Sequence, residues 1–374
     1  MPTTSRRLIP IAQPLISDED KRRVLEVLDS GHFVAGPRVA DFEQAFAAYV
    51  GASHAVAASS GTTALMAALR AADIRPGDRV ITTAFSYGAT AATILSCGAE
   101  PVFADIDPRT FNLDPESTAD ALGRTPGARG VLLVHLYGLP CAIDRFEALA
   151  ASHGLTLIED AAQAHGAAFR GRRAGALGRA AAFSFYPSKN MTTGEGGMAT
   201  TSDPDVADRA RLFVRGGERQ QYLYEAEGYN YRMTEMAAAI GIGQLSRLDG
   251  WNDRRRRNAA RLSDGLAGLD WLRCPVTPDG YTHVFHQYTV RVARGRDRLR
   301  RHLEEEGIGS RVYYPTPIHL TPFYRARFGE SRCPEAVRAA EQALSVPVHP
   351  AVTDTDLERI IEAVRRFDPG KSSS

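Results

Sequence analysis

Short apolar runs alternate with helix-like stretches along the first two-thirds of the chain, and this alternation limits the possible folds most strongly. The apolar runs predict strands at 80–83, 101–104, 131–135, 155–160 and 181–185. Helical spacing of apolar residues predicts helices at 40–49, 62–72, 89–96 and 142–153. Nearly continuous apolar strands must be covered on both faces, as in parallel sheets flanked by helices. We therefore expect an α/β fold with a mostly parallel sheet.

The composition changes near residue 250, where a long helix is predicted at 251–269. A strand follows at 286–292, and helices are expected at 297–306, 335–344 and 356–367. We therefore predict a large α/β domain over 1–250 and a smaller α+β domain over 251–374, with a disordered tail at 369–374.

The charge and cysteine content narrow the choice of partners and compartment. A formal net charge of +1 gives no reason to expect nucleic acid or an anionic membrane as a partner. The four arginines at 254–257 are expected to form a solvent-exposed helix face. The four cysteines are scattered without a CxxC pair, and no segment has the apolar length of a signal peptide or membrane span. We expect a cytoplasmic protein that does not bind membranes.

Lysine is rare in this chain: only Lys21, Lys189 and Lys371 are lysines among 45 basic residues. Of the three, Lys189 alone lies in an uncharged segment of small residues. A desolvated lysine can lose its proton and attack a carbonyl, which arginine cannot do. Lys189 is therefore a candidate for covalent amine chemistry, although the residue alone is equally compatible with a chance surface lysine.

Three further segments are expected at the carboxyl ends of strands, where α/β sheets bind ligands. The segment with Gly61 and Thr62 opens a helix and suits a phosphate, although a plain helix cap has the same pattern. Tyr87 could stack on a planar ring or belong to the core. Asp160 and Gln163 end an apolar strand, where a carboxylate needs a cationic partner or caps a turn. With Ser184 and Lys189, these groups form the set that pyridoxal phosphate requires.

The order of these motifs resembles the DegT/DnrJ/EryC1/StrS family of pyridoxal-phosphate proteins of fold type I. The resemblance extends over nearly the whole chain, including the segments 30–43, 135–138, 228–235, 314–320 and 345–347. It implies an aminotransferase that acts on nucleotide-linked keto sugars and carries the amino group as pyridoxamine phosphate. The amino donor would be glutamate or glutamine.

The resemblance also implies a role for each matching residue. Lys189 would hold the cofactor as an internal aldimine and move a proton, and Asp160 would keep the pyridine nitrogen protonated. Tyr87 would stack on the cofactor ring, and Gln163 would form a hydrogen bond near the cofactor's phenolic oxygen. Gly61, Thr62 and Ser184 would hold the phosphate. Asn230 would reach the phosphate of a neighbouring subunit, so that a homodimer shares its active sites.

Arg232 and His319 are candidates for substrate contacts by the same resemblance. Each residue also has a structural interpretation: Arg232 could form an ion pair at a dimer interface, and His319 could be a hydrogen-bonded turn residue.

Other functions remain as alternatives. Relatives aminate keto-cyclitols, and dehydratases of the family replace the aldimine lysine with histidine, which the presence of Lys189 argues against. A regulator that binds the cofactor without turnover is an alternative of a different class. A metal hydrolase using His283 and His286 is disfavoured, because residues i and i+3 of a strand face opposite sides and no third ligand is nearby. No metal site is expected.

Overall fold

A computed structural model of the chain describes residues 7–329 and 331–370. Thirteen helices lie within the described residues: α1 Asp18–Ser30, α2 Pro37–Val50, α3 Gly61–Ala71, α4 Ala89–Ser96, α5 Pro115–Arg124, α6 Ile143–His153, α7 Pro204–Val214, α8 Glu235–Leu245, α9 Leu248–Leu266, α10 Arg296–Glu305, α11 Pro322–Phe328, α12 Pro334–Gln342 and α13 Asp354–Arg366.

Fifteen strands lie in the same part of the chain: β1 His54–Ala58, β2 Arg79–Thr83, β3 Glu100–Ala104, β4 Gly130–Val134, β5 Thr156–Asp160, β6 Ala168–Phe169, β7 Arg172–Arg173, β8 Ala180–Ser184, β9 Gly197–Thr201, β10 Glu218–Gln220, β11 Leu223–Tyr224, β12 Leu272–Arg273, β13 Tyr281–Thr282, β14 Tyr288–Val292 and β15 Ala343–Val346. Seven of them form the central sheet, in the order β1-β9-β8-β5-β4-β2-β3.

The central sheet is parallel from β3 to β8, and only β9 runs antiparallel to its neighbours. One face packs on a cluster that includes Phe42 and Phe46 of α2, and the other on a cluster built from α3 and α7. Burial on both faces explains the continuously apolar strands. The predicted α/β class with a mostly parallel sheet is therefore confirmed.

The carboxyl ends of β2, β4, β5 and β8 lie at one edge of this sheet, because these strands are parallel. The turn from β1 into α3 begins the helix at that edge, where Ser60 caps α3 by accepting from Thr63 N. The residues that follow these strands are therefore brought close together, although they are far apart in sequence.

The C-terminal part contains an antiparallel sheet of β12, β14 and β15. Its apolar cluster takes side chains from α9, α10 and α13, and also includes Ile9 from near the start of the chain. The predicted domain division at residue 250 stays a prediction, and α9 extends from Leu248 to Leu266 across it. Disorder is predicted for the tail 369–374. The structure describes residues 369 and 370 of this tail, and 371–374 lie outside the described residues.

The arginine run on α9 differs from its prediction. Arg255 is only 5% exposed, and its Nη1 donates to the carbonyl oxygens of Phe285 and His286 at 3.2 and 3.4 Å. Burial lowers the pKa of this guanidinium to about 9. The prediction of a solvent-exposed face was wrong at this position, because α9 is covered there by the segment that precedes β14.

Two further expectations concern membranes and cysteines. Within residues 7–329 and 331–370, helices that are long and apolar enough to cross a bilayer are absent. Cys97, Cys141, Cys274 and Cys333 are all free thiols.

Candidate active site

Lys189 lies in the turn after β8, where its backbone N–H donates to the Tyr186 carbonyl at 2.9 Å. The side chain is partly buried. Desolvation lowers the pKa of its amine to about 8, while the Asp160 carboxylate acts in the opposite direction. About one tenth of such an amine is unprotonated at pH 7, compared with about one in 3,000 at an ordinary lysine pKa near 10.5. Lys189 is therefore much better prepared to act as a nucleophile than a surface lysine.

Asp160 is the last residue of β5, and its carboxylate is buried at the same edge of the sheet. Its Oδ2 accepts from Thr90 Oγ1 at 2.9 Å, and its Oδ1 accepts from the backbone N–H of Ala162 at 3.2 Å. Desolvation raises the pKa of this carboxyl, and the two hydrogen bonds and the Lys189 charge oppose that rise. A buried carboxylate with this environment gains by pairing with a cation.

The neighbouring carboxylate, Glu159, serves a different purpose. Its oxygens accept from the backbone N–H groups of Gly175, Leu177 and Gly178 at 2.7–2.8 Å, and lie 2.9 Å from His135 Nε2. Because side chains alternate along a strand, Glu159 points away from Asp160. Glu159 therefore holds the loop before β8, and Asp160 alone of this pair faces the site.

Gly61 and Ser184 meet where α3 begins. A Cβ atom built on Gly61 would lie 2.5 Å from Ser184 Cβ, closer than any side chain could be accommodated. The glycine therefore permits the first turn of α3 to approach the end of β8, and Thr62 follows it on the exposed side. Free backbone N–H groups and the helix dipole make such a turn a favourable place for a phosphate.

Gln163 connects the site to the C-terminal part of the chain. Its Oε1 accepts from the Tyr137 backbone N–H at 2.8 Å, and its Nε2 donates to Tyr314 Oη at 3.1 Å. Tyr87 is 66% exposed, and its ring centroid lies 6.4 Å from that of Tyr314. One side-chain N–H of Gln163 and the face of Tyr87 remain available to a ligand.

The remaining predicted residues are Asn230, Arg232 and His319. Asn230 and Arg232 are exposed, on a segment whose Tyr231 carbonyl accepts from the Ser59 N–H at 2.7 Å. This bond places the segment beside the β1–α3 turn. His319 is buried, 6.2 Å from the Phe103 ring, and burial lowers the pKa of its imidazole. Its buried Nδ1 has no hydrogen-bond partner among the described residues, so the interpretation of His319 as a hydrogen-bonded turn residue is not supported.

Thr90 and Tyr314 are site residues that the sequence did not identify. Thr90 lies in the first turn of α4 and Ser86 in the bend before it, and the two hydroxyl oxygens lie 3.0 Å apart. This i, i+4 spacing after a strand is a signal that could have indicated a hydroxyl pair. Tyr314 is brought to Gln163 from 151 residues away, a contact without any local signal.

His283 and His286 do not converge. His283 Nδ1 accepts from the Phe285 backbone N–H at 3.0 Å, and its ring stacks on Phe285 with centroids 3.8 Å apart. His286 Nδ1 instead lies 3.3 Å from Asn190 Oδ1. The two residues precede β14 and are not part of a strand, so the predicted strand 286–292 begins only at Tyr288.

The arrangement fits pyridoxal phosphate. A lysine of lowered pKa lies close enough to a buried carboxylate for their charges to interact. A helix N-terminus that tolerates no side chain at Gly61 lies against Ser184 at the same sheet edge. These groups match the aldehyde, the pyridine nitrogen and the phosphate of the cofactor.

The model of the DegT/DnrJ/EryC1/StrS aminotransferase family matches residues 14–365. The dTDP-3-amino-3,4,6-trideoxy-alpha-D-glucose transaminase of Streptomyces venezuelae is 44% identical over 351 residues, covering 93% of this chain and 92% of that protein. A protein of Geobacillus stearothermophilus named as a pleiotropic regulatory protein is 42% identical over 351 residues, covering 92% and 93%.

A solved structure gives the same result. The crystal structure of S. venezuelae DesV in complex with a ketimine intermediate has a TM-score of 0.90 and 41% identity, covering 96% of this chain and 100% of that one. The chain therefore belongs to the DegT/DnrJ/EryC1/StrS family and is a pyridoxal-phosphate-dependent aminotransferase.

Proposed function

We propose that this enzyme transfers an amino group from glutamate or glutamine to a nucleotide-linked keto sugar. The donor's amino group and the sugar's carbonyl oxygen exchange places, so the reaction has no net oxidation. The position of Lys189 close enough to the buried Asp160 carboxylate for their charges to interact is the observation that supports this most directly. The dTDP-sugar transaminase among the relatives supports the choice of substrate class.

Two residues would carry the chemistry. Bound pyridoxal phosphate supplies an electron-accepting ring that stabilises negative charge at the substrate carbon. Asp160 pairs with the pyridine nitrogen and keeps it protonated, which also gives the buried carboxylate the cation it lacks. Lys189 binds the cofactor through its amine. Once released, the same amine accepts and returns the substrate proton, because its lowered pKa lies near neutrality.

Five further residues would position the cofactor. Gly61, Thr62 and Ser184 receive the phosphate at the α3 N-terminus. Tyr87 stacks on the ring, and the free N–H of the Gln163 amide donates near the phenolic oxygen. The bonds from Gln163 to Tyr137 and Tyr314 hold this amide in one orientation.

The active unit in this proposal is a homodimer, with Asn230 reaching the phosphate of the partner site. Asn230 is exposed, and the large exposed side chains of Tyr87 and Tyr186 flank the site, as expected for a surface covered by a second copy. Arg232 and His319 remain proposed substrate contacts. The cytoplasmic location also remains a prediction.

The test mixes purified protein with pyridoxal phosphate, glutamate or glutamine, and a panel of nucleotide-linked keto sugars, and detects amino sugars by mass spectrometry. Lys189→Ala should abolish the visible absorbance of bound cofactor and all amination. Lys21→Ala, which removes a surface lysine of α1, should leave both unchanged. Amination by the Lys189 variant would contradict the mechanism. Turnover of keto-cyclitols alone, or no turnover with any acceptor, would instead support the family's other functions.

Mixing two inactive variants tests the shared site. Lys189→Ala and Asn230→Ala should complement each other, because a mixed dimer contains one site with both native residues. Activity that does not recover after exchange of subunits would contradict the role of Asn230 across the interface.

A further inference from the structure

Asn252 of α9 connects the two segments that carry Lys189 and Asp160. Its side chain is only 1% exposed. Its Nδ2 donates to the His165 carbonyl at 2.8 Å, and its Oδ1 accepts from Asn190 Nδ2 at 2.8 Å. Asn190 is the residue after Lys189, and His165 lies five residues beyond Asp160. One amide thus bridges both segments from a third element.

The contacts around this bridge are close. Asn190 also donates to the Val284 carbonyl at 3.1 Å, and its Oδ1 lies 3.3 Å from His286 Nδ1. On the other side, a Cβ atom on Gly166 would lie 2.7 Å from Asn252 Nδ2. The chain after His165 therefore approaches Asn252 so closely that only glycine is accommodated at 166.

We propose that Asn252 is a positioning residue that holds the Lys189 segment at a fixed place relative to the Asp160–Gln163 segment. This inference rests on the proposed role of Lys189 and Asp160 toward one cofactor. The amine and the carboxylate bind opposite ends of the same ring, so their separation must match the ring. Backbone pairing fixes β5 against β8, but Lys189 lies five residues beyond the end of β8. Asn252 supplies the link that the sheet does not.

Asparagine suits this bridge because its amide donates and accepts at once. Alanine would remove both bonds and leave the Asn190 amide and the His165 carbonyl with one partner fewer in a buried environment. The loss would loosen the turn that carries Lys189. The enzyme would still possess every group that contacts the cofactor.

Asn258 provides a matched control on the same helix. It is also 1% exposed, and its Nδ2 donates to the carbonyls of Val348 and His349 at 3.1 and 3.2 Å. Asn258→Ala also removes two buried hydrogen bonds, but these bonds lead into the C-terminal part and not to the site. A general loss of stability should therefore affect both variants alike.

The test measures pyridoxal-phosphate affinity by visible absorbance, and the unfolding free energy of the cofactor-free protein by denaturant titration. Asn252→Ala should bind the cofactor about tenfold more weakly than wild type, equivalent to about 1.4 kcal/mol. The pH at which the visible absorbance of its bound cofactor changes should also differ from that of wild type. Asn258→Ala should bind within about twofold of wild type, although both variants lose stability. If Asn252→Ala does not fold, Asn190→Ala removes this link from its other end, together with the Asn190 contacts to Val284 and His286.

Equal cofactor affinity of the Asn252 and Asn258 variants would overturn this inference and leave the proposed function intact. If instead wild-type protein shows no visible band that depends on Lys189, the proposed function itself fails. The two failures are therefore distinguishable.

Discussion

Replacing Thr90 by valine should make the stability of the cofactor-free protein depend more strongly on pH. The Thr90 hydroxyl donates to Asp160 at 2.9 Å, and both side chains are buried. A hydrogen bond to a buried charge contributes about 1.5–3 kcal/mol. Valine keeps the shape of the side chain but cannot donate, so the variant should lose about this much when Asp160 is ionised.

The sign of the pH effect follows from the raised pKa of Asp160. A carboxyl whose pKa is higher in the folded state than its usual 3.8 binds its proton more tightly when folded. Its contribution to stability is present at low pH and is lost as the pH rises through the folded pKa. Thr90→Val should raise that pKa further, because the variant loses a donor that stabilises the ionised carboxylate. The stability gap to wild type should therefore be small in acid and grow as the pH rises through the folded pKa of Asp160.

Denaturant titrations of both proteins from acid to neutral pH measure this gap. Thr93→Val is the matched control, because Thr93 is equally buried on α4 but donates only to the Thr90 carbonyl at 3.1 Å. Its stability loss should not depend on pH, and Thr90→Ser should behave like wild type. A Thr90→Val gap that is the same at every pH would refute the assignment of this hydrogen bond to an ionised Asp160.

Three further predictions concern the cofactor. Asp160→Asn should retain bound cofactor better than activity, measured by absorbance and by amination, because the carboxylate acts on the ring's electrons; equal loss of both would contradict that role. The rate of pyridoxal-phosphate attachment should rise with pH and level off above about pH 8, since only the neutral Lys189 amine reacts; a rate that still rises through pH 10 would indicate an ordinary lysine. Gly61→Ala should weaken cofactor binding by about tenfold or more, because the new Cβ would lie 2.5 Å from Ser184 Cβ. The control Gly123→Ala places its Cβ where no atom lies within 4 Å, so this variant should bind the cofactor as wild type does.

The sequence could predict those site residues whose positions depend only on the topology of the sheet. Parallel strands bring their carboxyl ends to one edge, so residues after predicted strands had to be neighbours. Asp160 and Ser184 follow this rule. Two strands of the same sheet gave no signal: β1 and β9 consist largely of alanine, glycine and threonine. Their neighbours bury them, and their own side chains add little to a hydrophobic pattern.

Contacts between distant segments were not predictable. Arg255 looked like part of a charged face, but only the fold shows that the chain before β14 covers it. Tyr314 and Asn252 are ordinary residues in the sequence, and their partners are 151 and 62–87 residues away. Such contacts depend on how the C-terminal part packs on the sheet edge, which local patterns do not determine.

The central claim is that Lys189 binds the cofactor covalently, and reduction with borohydride tests it most directly. The reagent fixes pyridoxal phosphate to whichever amine holds it, and peptide mass spectrometry locates that amine. The chain offers only three lysine side chains, so the assignment is unambiguous. We predict one labelled peptide, which contains Lys189 and disappears in Lys189→Ala. Label at Lys21 or Lys371 in its place, or no label in a protein that binds the cofactor, would contradict the account.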